Sequence, residues 1–188
     1  AAADCSQPSA PDIAAIQARL KQAAERTPGG SWVTGAGYAE YKLSEGRHPN
    51  RAELDAAVPN RPAVLYHTSL HVCVLNTAAL REAGFAGNQP DPPGGAFGRD
   101  SEGRLDGVLY EAPMFALFEQ NIRRDLAQAG TEADGHPRYR VRMDRVASAP
   151  TVSEGQGFGM VIVPLMAGYD PDAQTIFDGL WEYAKDHR

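Results

Sequence analysis

The sequence predicts an α+β fold: a small mixed-sheet α/β segment followed by a helical C-terminal hairpin. Three observations predict it. Short β-prone stretches bounded by glycine alternate with capped helical patterns up to residue 130. The polar stretch 131–137 has glycine and proline close together and reads as a linker. Beyond it, apolar residues recur at helical spacing in two runs joined by "GYDP". The expected organisation is therefore 1–130, a linker at 131–137, and 138–188.

In chain order, Asp12 is placed to cap a helix whose face is Ile13, Ile16, Leu20 and Ala24, stopped by Pro28-Gly29-Gly30. "SWVTGAGY" is a short strand. Asn50 with Glu53 three residues on forms a capping box for a second helix. "RPAVLYHTSLHVCVLN" is the longest apolar β-type run and reads as one strand covered on both faces. "NTAALREAGF" is a helix capped by Asn76 or Thr77 and closed by Gly84. "GAFGRDSEGRLDGVLYEAP", residues 95–113, reads as a hairpin that turns at Asp100 to Gly103. A helix is expected from Pro113 to Ala129, with Phe115, Phe118, Ile122 and Leu126 as its buried stripe. "RYRVRMD" alternates like an exposed strand. Helices are expected over 153–167 and 172–187, the second started by Asp170 and Pro171. Its apolar face is Ile176, Phe177, Leu180, Trp181 and Ala184.

The 188 residues, 43% hydrophobic and 22% charged, describe a soluble globular protein. A net charge of −6 argues against nucleic acid as the main partner, since phosphate binding needs clustered Lys and Arg. Arg138, Arg140, Arg142 and Arg145 read as one face of an exposed strand rather than an anion site. No apolar run approaches the roughly 20 residues that span a bilayer, and "AAADCSQPSAPD" has no signal-peptide pattern. A chain that begins this way is expected to be a processed or excerpted one, and its compartment is left open. Of the two cysteines, Cys73 reads as a small buried hydrophobe, while a disulfide to Cys5 is an open alternative. "GAG" at Gly35 to Gly37 lacks the rest of a dinucleotide fingerprint, "RPAVLYHTS" carries no triad pattern, and no P-loop or G-x-S-x-G occurs.

Two resemblances bear on function. "GGSWVTGAGY", "LSEGRHPNRAELDAAVPNRPAVLYHTSLHVCVLNTAAL" and "NQPDPPGGAFGRDSEGRLDGVLYEAP", taken together over 27–128, resemble family-three amidohydrolases, metal-dependent hydrolases on TIM barrels. The resemblance implies hydrolysis of C–N bonds by a divalent metal such as zinc, held by a His-x-His pair. This sequence has no His-x-His, and His67 and His71 on one strand would stand roughly 13 Å apart. No metal ligands are therefore assigned, and no cofactor is expected for this chain. The resembled "S-x-H" lies on the substrate side of the site, which makes Ser69 and His71 candidate substrate-binding residues, with Leu70 where glycine is common; a hydrogen-bonded core histidine is the alternative reading of His71. A whole TIM barrel needs about 250 residues, so the chain does not form a complete one.

The second resemblance covers 135–188. "SEGQGFGM" and "AQTIFDGLWEYAKDH" are similar to the N-terminal part of family-eight glycoside hydrolases, inverting β-glucanases on an (α/α)₆ barrel. It implies that Glu154 is the catalytic general acid. Local sequence alone reads Glu154 as a first-turn acid favoured by the helix dipole. Inverting hydrolysis needs a second carboxylate roughly 6.5 to 9.5 Å away, which no residue here matches, and two helices do not make an (α/α)₆ barrel. Pro164 inside the first helix departs from a regular helical pattern and should kink it or end it early.

Three readings stay open: an amidohydrolase-like hydrolase lacking its metal ligands, a β-glucanase-type hydrolase using Glu154, and a non-catalytic binding or fragment domain. The substrate is a small molecule or a carbohydrate in the first two. In the third, apolar faces such as Phe177-Leu180-Trp181 are covered by a second copy in a homo-oligomer. Together they describe a chimeric or truncated chain of hydrolase origin.

Overall fold

Two βαβ steps begin the architecture, and each follows from a capped helix. The computed structural model describes residues 2–85, 87–141, 153–165 and 170–187. They divide into two compact units, Ala1–Met114 and Phe115–Arg188. In the first unit, β1 (Ala3–Asp4) leads to α1 (Ile13–Arg26), whose Ala15 N–H donates to the Asp12 carboxylate at 2.7 Å. The chain returns as β2 (Val33–Tyr38), parallel to β1. A 3₁₀ turn at Glu40–Lys42 and α2 (Arg51–Ala57) then precede β3 (Ala63–His67), parallel to β2. Asn50 and Glu53 form the expected capping box.

The long run 61–76 is two strands rather than one. β3 ends at His67, the chain turns through Thr68 to His71, and β4 (Val72–Leu75) returns antiparallel to it. Both strands are almost wholly buried, so the apolar run is continuous in composition although the chain reverses within it. Leu70 supplies the left-handed residue of that reversal, with φ of 57°. No glycine marks the turn, so the sequence carries no local sign of the reversal.

α3 (Thr77–Glu82) is capped by Asn76, then β5 (Gly95–Arg99) and β6 (Leu105–Glu111) form the expected hairpin. The Asp100 carboxylate accepts the Glu102 and Arg104 N–H groups and fixes its turn. The sheet order is β1-β2-β3-β4-β6-β5, a mixed open sheet rather than a closed barrel. Ile13, Ile16 and Leu20 of α1 pack with Val33, Leu65, Val74 and Leu54 in its core. At Gly35 a side chain would stand 2.8 Å from Leu20 Cδ2, so this glycine allows α1 to lie close on β2. Cys5 and Cys73 are separate buried thiols. Burial pushes Cys5 up to about 11 and Cys73 further in the same direction, leaving both unreactive.

α4 (Ala112–Asp125) stops short of the expected Ala129. Leu126–Thr131 is instead a strand, β7, paired antiparallel with β8 (Pro137–Val141) from Leu126↔Val141 to Thr131↔Pro137. The alternating Arg-Tyr-Arg-Val of β8 offers a ladder that overrides the helical spacing of 126–129. Residues 131–137 close this hairpin, with the Glu132 N–H donating to the His136 carbonyl at 2.8 Å. α5 (Ser153–Leu165) contains Pro164, and α6 (Ala173–Asp186) is the last helix described. The Asp170 carboxylate accepts the Asp172 N–H at 2.9 Å and so shapes the turn that starts α6. Val141, Ile162, Val163, Ile176 and Leu180 form the core of this unit. Trp181 remains 42% exposed. Arg138 pairs with Glu132 and Asp186, while Arg142 and Arg145 lie outside the described residues. No helix among the described residues is long and apolar enough to cross a membrane.

Candidate functional site

β1, β2, β3 and β6 run in one direction and β4 and β5 in the other. The carboxyl ends of β2, β3 and β6 therefore lie along one edge, where ligands gather in open α/β sheets. Tyr38, His67 and Glu111 are the last residues of those three strands. The 3₁₀ turn adds Glu40, the loop before α2 adds His48, and the β3–β4 turn adds Ser69 and His71.

A chain of polar contacts joins them. Ser69 Oγ lies 2.8 Å from His67 Nδ1, and the Ser69 N–H donates to the same nitrogen at 3.1 Å. On the other side of the ring, His67 Nε2 is 2.8 Å from Glu40 Oε2. Those two atoms are close but not aligned for a hydrogen bond, so the contact is one of charge and proximity. Ser69 Oγ also accepts the His71 N–H at 3.2 Å. His71 Nδ1 in turn lies 2.8 Å from Glu111 Oε2, both side chains being about half exposed. Leu70 and Glu111, with φ of 57° and 55°, bracket this pair in a conformation that L-residues with side chains avoid. Such backbone strain clusters at functional sites.

Behind the edge, His48 Nδ1 is 2.9 Å from the Tyr38 hydroxyl, and its ring makes edge contacts with His67 and Tyr110. Burial pushes the Tyr38 hydroxyl far up, so it stays protonated. Burial lowers His48, against the opposing pull of the Glu40 carboxylate. His48 and Tyr110 also face an open cavity of about 500 Å³, together with Asn50, Arg51, Arg104 and Asp106.

Of the residues expected from sequence, Ser69 and His71 stand together in this cluster. Glu154 is the second residue of α5, in the second unit, and its side chain lies outside the described structure. Glu40, His48, His67 and Glu111 were not expected to join the site. His67 and His71 do not share one strand, because the chain reverses between them and Ser69 connects them. The polar His-Thr-Ser in an otherwise apolar run was the available sign. Among the described residues no three His, Cys, Asp or Glu side chains gather as a metal-ligand set, and both His67 nitrogens already face protein groups. The described residues therefore do not fit a bound divalent ion, which needs three or more converging donors.

Known proteins resemble parts of this chain. N-substituted formamide deformylase from Arthrobacter pascens is 35% identical over 109 residues, 58% of this chain and 20% of that protein. A beta-glucanase from Niallia circulans is 54% identical, but over only 41 residues, 22% of this chain and 10% of that protein. An uncharacterized metal-dependent hydrolase from Pyrococcus horikoshii superposes with a TM-score of 0.45 at 23% identity, over 63% of this chain and 20% of that one. The chain thus spans about a fifth of the length of the Arthrobacter relative. The model of the amidohydrolase family matches residues 1–166, across both compact units. Because that match covers most of the sequence, the chain belongs to the amidohydrolase family.

Proposed function

We propose that the chain forms the substrate-side part of a metal-dependent amidohydrolase acting on C–N bonds of small molecules, with Ser69 and His71 lining the site. The observation that carries this reading is the meeting of Ser69, His71 and Glu111 at the carboxyl edge of the sheet. There His71 is oriented by a carboxylate, the arrangement that lets an imidazole hydrogen-bond or exchange a proton with a bound amide. The substrate class follows the Arthrobacter relative, so N-substituted amides are the first compounds to try. The described residues bring no metal-ligand set, and the chain is on this reading catalytically incomplete.

The test is an NMR titration of the chain with an N-substituted formamide, following the histidine ring resonances. Movement of the His71 and His67 signals, abolished by His71→Asn, supports the site. No movement at saturating ligand removes it. Formate release by the chain with stoichiometric bound zinc would instead overturn the incompleteness.

A second reading rests on the short beta-glucanase match. Here Glu154, in the first turn of α5, is the general acid of an inverting glycosidase. The amidohydrolase model also runs across this position, which favours the first reading. Reducing-sugar release from a soluble β-glucan that disappears in Glu154→Gln would reverse that preference.

A further inference from the structure

We propose that Ser69 is an activated nucleophile, with His67 as its base and Glu40 as the charge behind the ring, that takes acyl or phosphonyl groups from reactive esters and phosphonates. This goes beyond the C–N reading and uses no metal. The direction of each bond is set by two backbone amides, which can only donate. The Ser69 N–H donates to His67 Nδ1, so that nitrogen carries the lone pair and the ring proton sits on Nε2, beside Glu40. The His71 N–H donates to Ser69 Oγ, so the hydroxyl's own proton points to His67 Nδ1 at 2.8 Å and shares that nitrogen's one lone pair with the Ser69 N–H.

The order is that of serine–histidine–carboxylate catalysis, with Nδ1 rather than Nε2 facing the serine and with Glu40 beside the ring by proximity rather than by a hydrogen bond. His67 is buried, at 8% exposure, while Ser69 is exposed to an incoming electrophile. With a fluorophosphonate, the Ser69 O–H bond breaks and its proton passes to His67 Nδ1. The Oγ–P bond forms, the P–F bond breaks, and fluoride leaves with the proton. With an aryl ester the new bond is Oγ–C and the proton leaves with the aryloxide. Water then releases the acyl group by the reverse path.

The same structure limits the rate. The N–H groups of 68, 69, 70 and 71 all have acceptors in the turn: the Tyr38 carbonyl, His67 Nδ1, the His67 carbonyl and Ser69 Oγ. None is poised to hold an oxyanion, and one such donor is worth roughly 10²- to 10³-fold in rate. Stoichiometric labelling is expected rather than rapid turnover.

The experiment treats the folded chain with a fluorophosphonate probe and maps the adduct by peptide mass. One adduct is expected, on Ser69. It should vanish in Ser69→Ala, fall about tenfold or more in His67→Gln and severalfold in Glu40→Gln. Circular dichroism confirms that each variant keeps its fold, and the urea-unfolded wild type gives a readout free of any substitution. Absence of an adduct on the folded chain, an adduct that survives Ser69→Ala, or equal labelling of folded and unfolded chain would each overturn the proposal. These outcomes do not depend on amide binding at His71.

Discussion

Leu70 is held where a leucine is ill at ease. Its φ of 57° brings Cβ against the following carbonyl, at a cost of about 1–2 kcal/mol for an L-residue. The side chain is 46% exposed and recovers little by burial. Leu70→Gly should therefore raise stability by about 1 kcal/mol in urea unfolding, the strain relieved outweighing the extra freedom of the unfolded glycine. An unchanged or lower midpoint would show that the leucine packs better than its exposure implies. At His48 the sign is different. Burial holds its pKa below the ordinary histidine value, with His67 adding to the effect and Glu40 and Asp106 opposing it, while Tyr38 and Tyr110 face the ring uncharged. The folded state thus binds the proton less readily than the unfolded chain. Its contribution is whole above about pH 6.5 and is lost as pH falls through that value toward the folded pKa. His48→Gln keeps an acceptor for Tyr38 but cannot titrate. Between about pH 7.5 and about pH 5.5 the wild type should lose more melting temperature than His48→Gln. Parallel losses would show that the ring is not the acid-sensitive group.

At the scale of elements, two buried amides hold neighbouring segments together. Asn76 caps α3 and also binds β3 and the α2–β3 loop, through the Ala63 N–H and the Val58 and Arg61 carbonyls. Gln156 does the corresponding work in the second unit: its Oε1 accepts the Val141 N–H, and its Nε2 donates to the Tyr139 and Leu180 carbonyls. Gln156→Ala leaves the buried Val141 N–H without this acceptor, and a buried unpaired donor costs about 1–3 kcal/mol, so a loss of that size is expected in urea unfolding. A loss near zero would mean that water replaces the side chain. These elements also show what the sequence could reveal. Asp12, Asn50 and Asp100 announced their caps and turn because local side-chain chemistry makes them. The β3–β4 reversal gave no such sign, since Leu70 occupies the turn position that glycine would have marked. The helix expected through Ala129 failed because pairing with β8, a non-local partner, decided the state of 126–131. The site followed the same rule. The resemblance named Ser69 and His71 as candidates, whereas Glu40, His48 and Glu111 join their cluster only through strand order and register.

On the scale of the whole molecule, each compact unit has its own buried cluster, one around α1 and the sheet, the other around β8, α5 and α6. Separate cores predict separate unfolding transitions. The two tryptophans make this measurable, for Trp32 lies in the first unit and Trp181 in the second. Gly179 supplies a perturbation confined to the second: a methyl group there would meet the Tyr139 ring and stand 2.7 Å from the Pro137 carbonyl oxygen. Overpacking of this kind costs about 1–3 kcal/mol, partly offset by the better helix propensity of alanine, worth about 1 kcal/mol. In the Trp32→Phe background, Gly179→Ala should shift the Trp181 fluorescence transition to lower urea. In the Trp181→Phe background, the same substitution should leave the Trp32 transition where it was. If both signals move together, the two cores melt as one cooperative body, and the amidohydrolase-like sheet depends for its stability on the helical hairpin that follows it.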